Sequence, residues 1–342
     1  MTTIPRLKEI KLVLEHQPPH SNGGKKNILA IGCNQPEFLA NYLPHNITFE
    51  HHLKSVCNIA KITGLHTTIK ATGSFHAVIV TISRSKEETY GRIFHAMNLA
   101  KEGALIFVEG PKAYGISSIL RRLNEILTLK HRISRSHGKI GIFTKKSKIP
   151  YEISNWECYQ FYKQNLDGYF SIPGSFSQDK IDPGSKILGD LFQGALFGNV
   201  ADLGSGWGYL SSRALRDSPM IKKITLFENH HGSLACSTAN IKSKKAKFKW
   251  TDISTEKSFR NKFDSVICNP PFHSEGKKNT DLALIFFRKS SEILKSSGKL
   301  WLVANLHLPY EKSLMQFFKK VDIIFTNKFF KVFLTEKPKL DK

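Results

Sequence analysis

The sequence is short of cysteine, of acidic residues and of any long apolar run. Its five cysteines, Cys33, Cys57, Cys158, Cys236 and Cys268, are scattered, odd in number and never spaced as Cys-x-x-Cys. Neither a disulfide framework nor a cysteine-built zinc site follows, and no metal is expected. No stretch reaches the roughly 18 apolar residues of a membrane span. The start of the chain, Met1 to Glu9, has no apolar core and no cleavage signature. These absences point to a cytoplasmic protein with no membrane partner. Acids are outnumbered, with 28 Asp and Glu against 51 Lys and Arg, for a net charge of +23. Such an excess favours a polyanionic partner, nucleic acid above all, through attraction to phosphates and counterion release.

What remains is ordinary for a globular protein: 342 residues, 40% apolar and 23% charged. That length suits two domains. In the first half, Asn27 to Asn34, Phe75 to Ser83 and Gly103 to Gly110 read as buried strands, and Glu87 to Lys101 and Ile116 to Leu129 as amphipathic helices. Strand alternating with helix is the grammar of a parallel, doubly wound sheet. His137 to Thr144 reads as an edge strand, and Pro150 closes a linker. The first half carries no recognisable nucleotide pocket: Gly32-Cys-Asn-Gln-Pro-Glu replaces a glycine-rich turn, and the strand from Phe75 ends in Ile82-Ser83-Arg84. A structural or RNA-docking role fits it. Tyr151 to Leu166 reads as an aromatic connector packing on the domain that follows.

The second half repeats the pattern with chemistry added. Asn199-Val-Ala-Asp-Leu-Gly-Ser-Gly-Trp-Gly is a strand, a glycine turn and a helix start. Gly204 permits the turn and Gly206 lets backbone amides approach a ligand. Asp202 disfavours pyrophosphate but suits a cationic amino group, which favours S-adenosylmethionine over a nicotinamide dinucleotide; the glycine spacing is also not the full dinucleotide form. The next strands end in Glu228, where a ribose diol would be held, and in Asp252, suited to the adenine amine. Asp264-Ser-Val-Ile-Cys-Asn-Pro-Pro-Phe-His273 is a buried strand stopped by two prolines. Asn269 and the Pro270 carbonyl can accept hydrogen bonds from an NH₂ group and aim its lone pair at an electrophile. Phe272 can stack on a flat base. Upstream, Asp182-Pro183 is a helix cap and first helical position for a helix to Phe192, and the loop bearing Phe176 and Ser177 is expected to cover a ligand. Asp281 to Leu294 reads as a helix capped by Gly298, followed by the strand Lys299 to Asn305 and a hairpin of 321–326 and 329–334. The lysine runs at 242–249, 277–278 and 319–320 are candidate phosphate contacts, each by default a solvated face.

Taken together, Pro173-Gly-Ser-Phe-Ser177 with Asp182, Asp202-Leu-Gly-Ser-Gly206, Asn269-Pro-Pro-Phe-His273 and Val303-Ala-Asn-Leu-His-Leu-Pro-Tyr310 resemble the bacterial small-subunit ribosomal RNA methyltransferase C family. The resemblance covers the whole chain. It implies an α/β fold of two tandem Rossmann-like class I methyltransferase domains, each a mostly parallel doubly wound sheet with a terminal antiparallel strand. Residues 1–150 would be a degenerate noncatalytic copy and 151–342 the catalytic domain. It implies methyl transfer from S-adenosylmethionine to guanine N2 of 16S rRNA, leaving S-adenosylhomocysteine, with 16S rRNA or the 30S subunit as partner and a monomeric enzyme. Asp202, Gly204, Ser205 and Gly206 would hold the methionine end, Glu228 with Asn229 the ribose, and Asp252 with Ile253 the adenine. Phe176 and Ser177 would lie over the cofactor, and Asn269, Pro270, Pro271 and Phe272 would position the base. Where Ser205 stands the family often has glycine or cysteine. Three alternatives stay open: 23S rRNA guanine-N2 methylation, protein glutamine methylation, and a nonenzymatic RNA-binding assembly factor.

Overall fold

The structure is a computed structural model that describes residues 4–16, 25–43, 45–271 and 279–339. The chain divides into two compact units, one of residues 1–162 with 172–174 and one of residues 163–171 with 175–342.

In the first unit α1 (Ile4–Glu15) precedes β1 (Asn27–Ile31), α2 (Pro36–Tyr42), β2 (Asn46–Glu50), α3 (Lys54–Ile62), β3 (His66–Thr68) and β4 (Phe75–Thr81). Then come α4 (Lys86–Leu99), β5 (Ala100–Pro111), α5 (Ile116–Ile126), β6 (Leu129–Arg135), β7 (Gly138–Thr144) and α6 (Tyr151–Ser154). The sheet order is β3-β2-β1-β4-β5-β7-β6, with β7 and β6 antiparallel. β1 and β4 are apolar almost throughout because helices cover both faces of a parallel sheet. α5 buries Ile116, Ile119, Leu120 and Leu123, the i, i+3, i+4, i+7 stripe of an amphipathic helix.

Three sequence expectations change here. The helix from Ile116 ends at Ile126, and the residues after it form the edge strand β6, so β7 (Gly138–Thr144) is an interior strand rather than the edge. β6 is exposed along most of its length, Lys130, His131 and Arg132 included, so it shows no apolar alternation to read. The connector is divided rather than a segment of the following domain: residues up to Tyr162 belong to the first unit, and residues 163–166 to the second. Trp156 stacks on Tyr90 of α4 at 4.1 Å between ring centroids, and Gly91 lets the helix approach the Tyr159 backbone, where a Cβ would lie 3.0 Å from the carbonyl oxygen.

Inside the first unit Arg6 is almost fully buried and donates through Nε to Glu109 Oε2 at 2.6 Å, while Thr81 Oγ1 donates to Glu109 Oε1 at 2.6 Å.

The second unit opens with the hairpin β8 (Lys163–Gln164) and β9 (Phe170–Ser171), then α7 (Pro183–Leu191), β10 (Gly198–Leu203), α8 (Tyr209–Asp217), β11 (Ile221–Glu228) and α9 (His231–Asn240). It continues through β12 (Ala246–Trp250), β13 (Phe263–Cys268), α10 (Asn279–Ile293), β14 (Leu294–Asn305), α11 (Tyr310–Phe317), β15 (Phe318–Thr326) and β16 (Phe330–Pro338). The order β12-β11-β10-β13-β14-β16-β15 repeats that of the first sheet, again with two antiparallel strands at one end. Both sheets thus have the expected doubly wound form. Gly298 does not cap α10; it lies inside β14, at a register irregularity, where a Cβ would crowd Leu294 and the Phe263 carbonyl at 2.7 and 3.0 Å. No helix among the described residues is long and apolar enough to cross a membrane.

Removing one partner of a buried ion pair leaves the other charge uncompensated, at a cost of about 3–5 kcal/mol. Arg6→Ala should therefore lower the stability of the first unit by that amount, whereas an exposed pair such as Arg122–Glu125 should be worth less than about 1 kcal/mol. Denaturant titration of both variants checks the contrast.

Candidate active site

The second sheet delivers the candidate residues to one edge because its strands are parallel. β10 lies between β11 and β13, with Leu203 level with Phe227 on one side and Cys268 on the other. Their carboxyl ends therefore stop side by side, the place where open α/β sheets bind ligands. Past β10 the chain turns through Gly204, Gly206 and Gly208 with φ of +71°, +55° and +91°. A Cβ at Gly206 would meet nothing within 4 Å, so its backbone faces open space. Gly208 was not singled out in the sequence, although it completes the same run. A Cβ there would lie 2.9 Å from Ser237 of α9, so the glycine lets α8 start against that helix.

Asp202, the penultimate residue of β10, is fully buried. Its Oδ2 accepts from Ser211 Oγ at 2.7 Å, and its Oδ1 has no partner among the described residues. Burial pushes its pKa up to about 7. Ser205 Oγ is likewise buried with no partner among the described residues. Glu228 ends β11; its Oε2 accepts from the Gly206 amide at 2.7 Å and its Oε1 from the His230 amide at 2.8 Å. Burial raises its pKa too, against those amides. A carboxylate has about four lone-pair sites, so Glu228 keeps acceptor capacity. The Asn229 carbonyl accepts from Trp250 Nε1 at 2.8 Å, joining the ends of β11 and β12. Asp252 Oδ1 accepts from the Ser254 amide and hydroxyl at 2.9 and 2.7 Å, and Ile253 beside it is buried. Phe176 is exposed at the ring, and its carbonyl accepts from Trp207 Nε1 at 2.9 Å, which ties its loop to the glycine turn. Ser177 follows at φ +51°.

The corner after β13 has Asn269 half-buried, Pro270 buried and Pro271 exposed. Phe272, like His273, lies outside the described residues. Asn269 Nδ2 donates to Asp182 Oδ2 at 2.9 Å and to Ser185 Oγ at 2.8 Å. Asp182 also caps α7 as expected, accepting from the Ser185 amide at 2.7 Å. Its reach to the corner, 87 residues away in sequence, and the parts of Ser185 and Ser211 carry no sequence signal, because each is a tertiary contact of a common residue. No described residue donates to the Pro270 carbonyl.

The same edge of the first unit is filled by its own side chains. Gly32 follows β1 at φ +72°, and the Arg92 guanidinium occupies the space a Cβ would take, donating to the Thr81 carbonyl at 2.7 Å. Glu50, at the end of β2 as Glu228 is at the end of β11, accepts from His95 Nε2 at 2.9 Å and the Ala71 amide at 2.7 Å.

The lysine runs divide. Lys249 pairs with Glu256 and sits 4.4 Å from the Phe259 ring centroid, and Lys320 pairs with Glu336 at 3.1 Å. Lys277 and Lys278 lie outside the described residues. A groove of about 530 Å³ is lined by Lys257, Phe259, Arg260 and Arg288 among others; the three cations are exposed and none pairs with a described carboxylate.

Residues 169–334 match the family model of the methyltransferase small domain. Ribosomal RNA small subunit methyltransferase C of Photorhabdus laumondii is 29% identical over 256 residues, covering 74% of this chain and 74% of that protein. Its namesake in Buchnera aphidicola is 26% identical over 340 residues, 95% of this chain and 97% of that protein. The T. thermophilus 16S rRNA N2 G1207 methyltransferase, solved with AdoMet and guanosine, superposes with a TM-score of 0.78 at 21% identity, covering 95% of this chain and 91% of that one. It has the same fold. A doubled sheet of one topology, a glycine turn beside a buried aspartate oxygen with no partner among the described residues, and an Asn-Pro-Pro corner thus occur in a chain that is similar along nearly its full length to ribosomal RNA small subunit methyltransferase C proteins.

Proposed function

We propose that this chain methylates the exocyclic N2 amine of a guanine in 16S rRNA, within the 30S subunit, as a cytoplasmic monomer. Residues 151–342 carry the chemistry, and residues 1–150 act as a noncatalytic copy. The observation that carries the reading is the Asn269 amide at the end of β13. Its nitrogen is committed to Asp182 and Ser185, which leaves its oxygen as an acceptor beside the buried edge of β10. The filled edge of the first unit supports assigning catalysis to the second.

The residues present fit S-adenosylmethionine. Asp202 Oδ1 and Ser205 Oγ are buried polar atoms in want of a partner, and Gly206 faces open space. Asp202, Gly204, Ser205 and Gly206 would hold the methionine end, Glu228 and Asn229 the ribose, Asp252 and Ile253 the adenine, with Phe176 and Ser177 from the covering loop. The cofactor supplies a methyl group on a positively charged sulfur. The guanine amine is a poor nucleophile because its lone pair is delocalised into the ring. Asn269 Oδ1 and the Pro270 carbonyl, with Pro271 fixing the corner and Phe272 stacking on the base, would accept its two hydrogens and turn the lone pair outward. As nitrogen bonds to the methyl carbon it gains positive charge, which the two oxygens offset; its proton then leaves to solvent, so no strong base is needed. The base must be unpaired or flipped to reach the corner. The exposed Lys257, Arg260 and Arg288 suit phosphate contact.

Labelled methyl transfer to subunits from cells lacking this protein should give N2-methylguanosine in the small subunit. The same product in the large subunit alone would overturn the 16S assignment. Asn269→Ala should lower kcat about 100-fold while cofactor affinity, read by calorimetry, stays within about twofold; unchanged kcat would remove the corner from the mechanism.

Asp202 keeps its proton up to about pH 7 in the folded chain, whereas an unfolded aspartate loses it near pH 4. The folded state thus binds more protons in that window, and cofactor-free stability falls as pH rises through it. An ammonium group favours the ionised form, so cofactor affinity should rise with pH up to about 7 and then level off, with proton release on binding at pH 6.5. Asp202→Asn should abolish that release and raise the Tm of the cofactor-free protein at pH 8. Calorimetry in two buffers and thermal melts check both.

A further inference from the structure

Resting on the reading of Asn269 given above, we propose that Asp182 and Ser185 are positioning residues for methyl transfer, with the Asp182 carboxylate polarising the Asn269 amide. An Asn side chain has two amide hydrogens and one oxygen. Here both hydrogens are spent at the start of α7, one on Asp182 Oδ2 at 2.9 Å and one on Ser185 Oγ at 2.8 Å. The flipped amide would set its oxygen against the carboxylate, acceptor facing acceptor, so only one orientation is satisfied and Oδ1 is the atom left to face a substrate.

The arrangement is built rather than incidental. Asp182 is fixed from below by accepting the Ser185 amide at 2.7 Å on the same oxygen that receives Asn269, and Ser185 is buried. Pro183 sets the first helical position. Gly184 keeps the place clear: a Cβ there would lie 3.1 Å from Asp182 Oδ2 and 2.9 Å from the Phe330 ring. A hydrogen bond to a carboxylate is roughly twice as strong as one between neutral groups, and linked hydrogen bonds strengthen one another. Pulling electron density away from Nδ2–H makes Oδ1 more negative. That is the charge wanted where an amine nitrogen turns cationic, and it is in place before the reaction begins. Neither Asp182 nor Ser185 needs to touch the base.

Asp182 also caps a helix, so two substitutions separate the roles. Asp182→Asn and Asp182→Ser both keep a side chain favoured at a helix N-cap and remove the charge. Each should lower kcat about 10- to 100-fold, with KM for RNA and affinity for S-adenosylhomocysteine changed less than about twofold. Ser185→Ala should give a smaller loss, about fivefold. In the Asn269→Ala background Asp182→Asn should cost nothing further. Full kcat in Asp182→Asn and Asp182→Ser would overturn the proposal. So would an equal loss from Asp182→Asn with and without Asn269, which would mean a structural effect of α7. Undiminished activity of Asn269→Ala itself would instead overturn the reading of the corner on which this inference rests.

Discussion

The parallel pairing of β10 with β11 on one side and β13 on the other is the constraint on which the site depends. Parallel strands end in the same direction, so Asp202, Glu228 and Asn269 arrive at one rim although 67 residues separate the first from the last. Helices over both faces bury the middles of those strands, so their charged side chains stand near the strand ends. The cost of burial falls on Asp202, which holds one hydrogen bond from Ser211 and has one oxygen with no partner among the described residues.

The first unit shows what the same topology becomes without that demand. Its sheet has the same strand order, yet each place that would face a ligand is occupied from within. Arg92 covers Gly32, His95 and the Ala71 amide take up Glu50, and β4 is followed by Ile82-Ser83 instead of an amide and two prolines. Arg6 and Glu109 neutralise one another in its interior. Among the described residues of this unit the buried carboxylates Glu50 and Glu109 both have partners, unlike the Asp202 Oδ1 of the second unit.

Much of this was legible beforehand. Long apolar strands, the glycine turn and Asn-Pro-Pro are local signals: a buried strand needs consecutive apolar residues, a left-handed turn needs glycine, and proline ends a strand. Among the strands, what escaped was either short or polar. β2 and β3 are five and three residues long, and β6 is exposed on both faces, so none shows a usable alternation. Gly298 reads as a helix cap from its neighbours, but its small size serves close contact with Leu294 and Phe263. The aromatic connector reads as packing forward, yet the Tyr90–Trp156 stack joins its first part to the first unit.

The sequence by itself determined the order of the elements and the kinds of group at each strand end, because backbone geometry restricts glycine, proline and apolar runs locally. Which groups meet was decided only by the tertiary structure. Hydrogen bonds from Asn269 to Asp182 and Ser185 join segments more than 80 residues apart, and their donors and acceptors are residues found on any surface. Folding the sheet brings the start of α7 against the end of β13, and that contact, which no local pattern encodes, settles which way the amide faces.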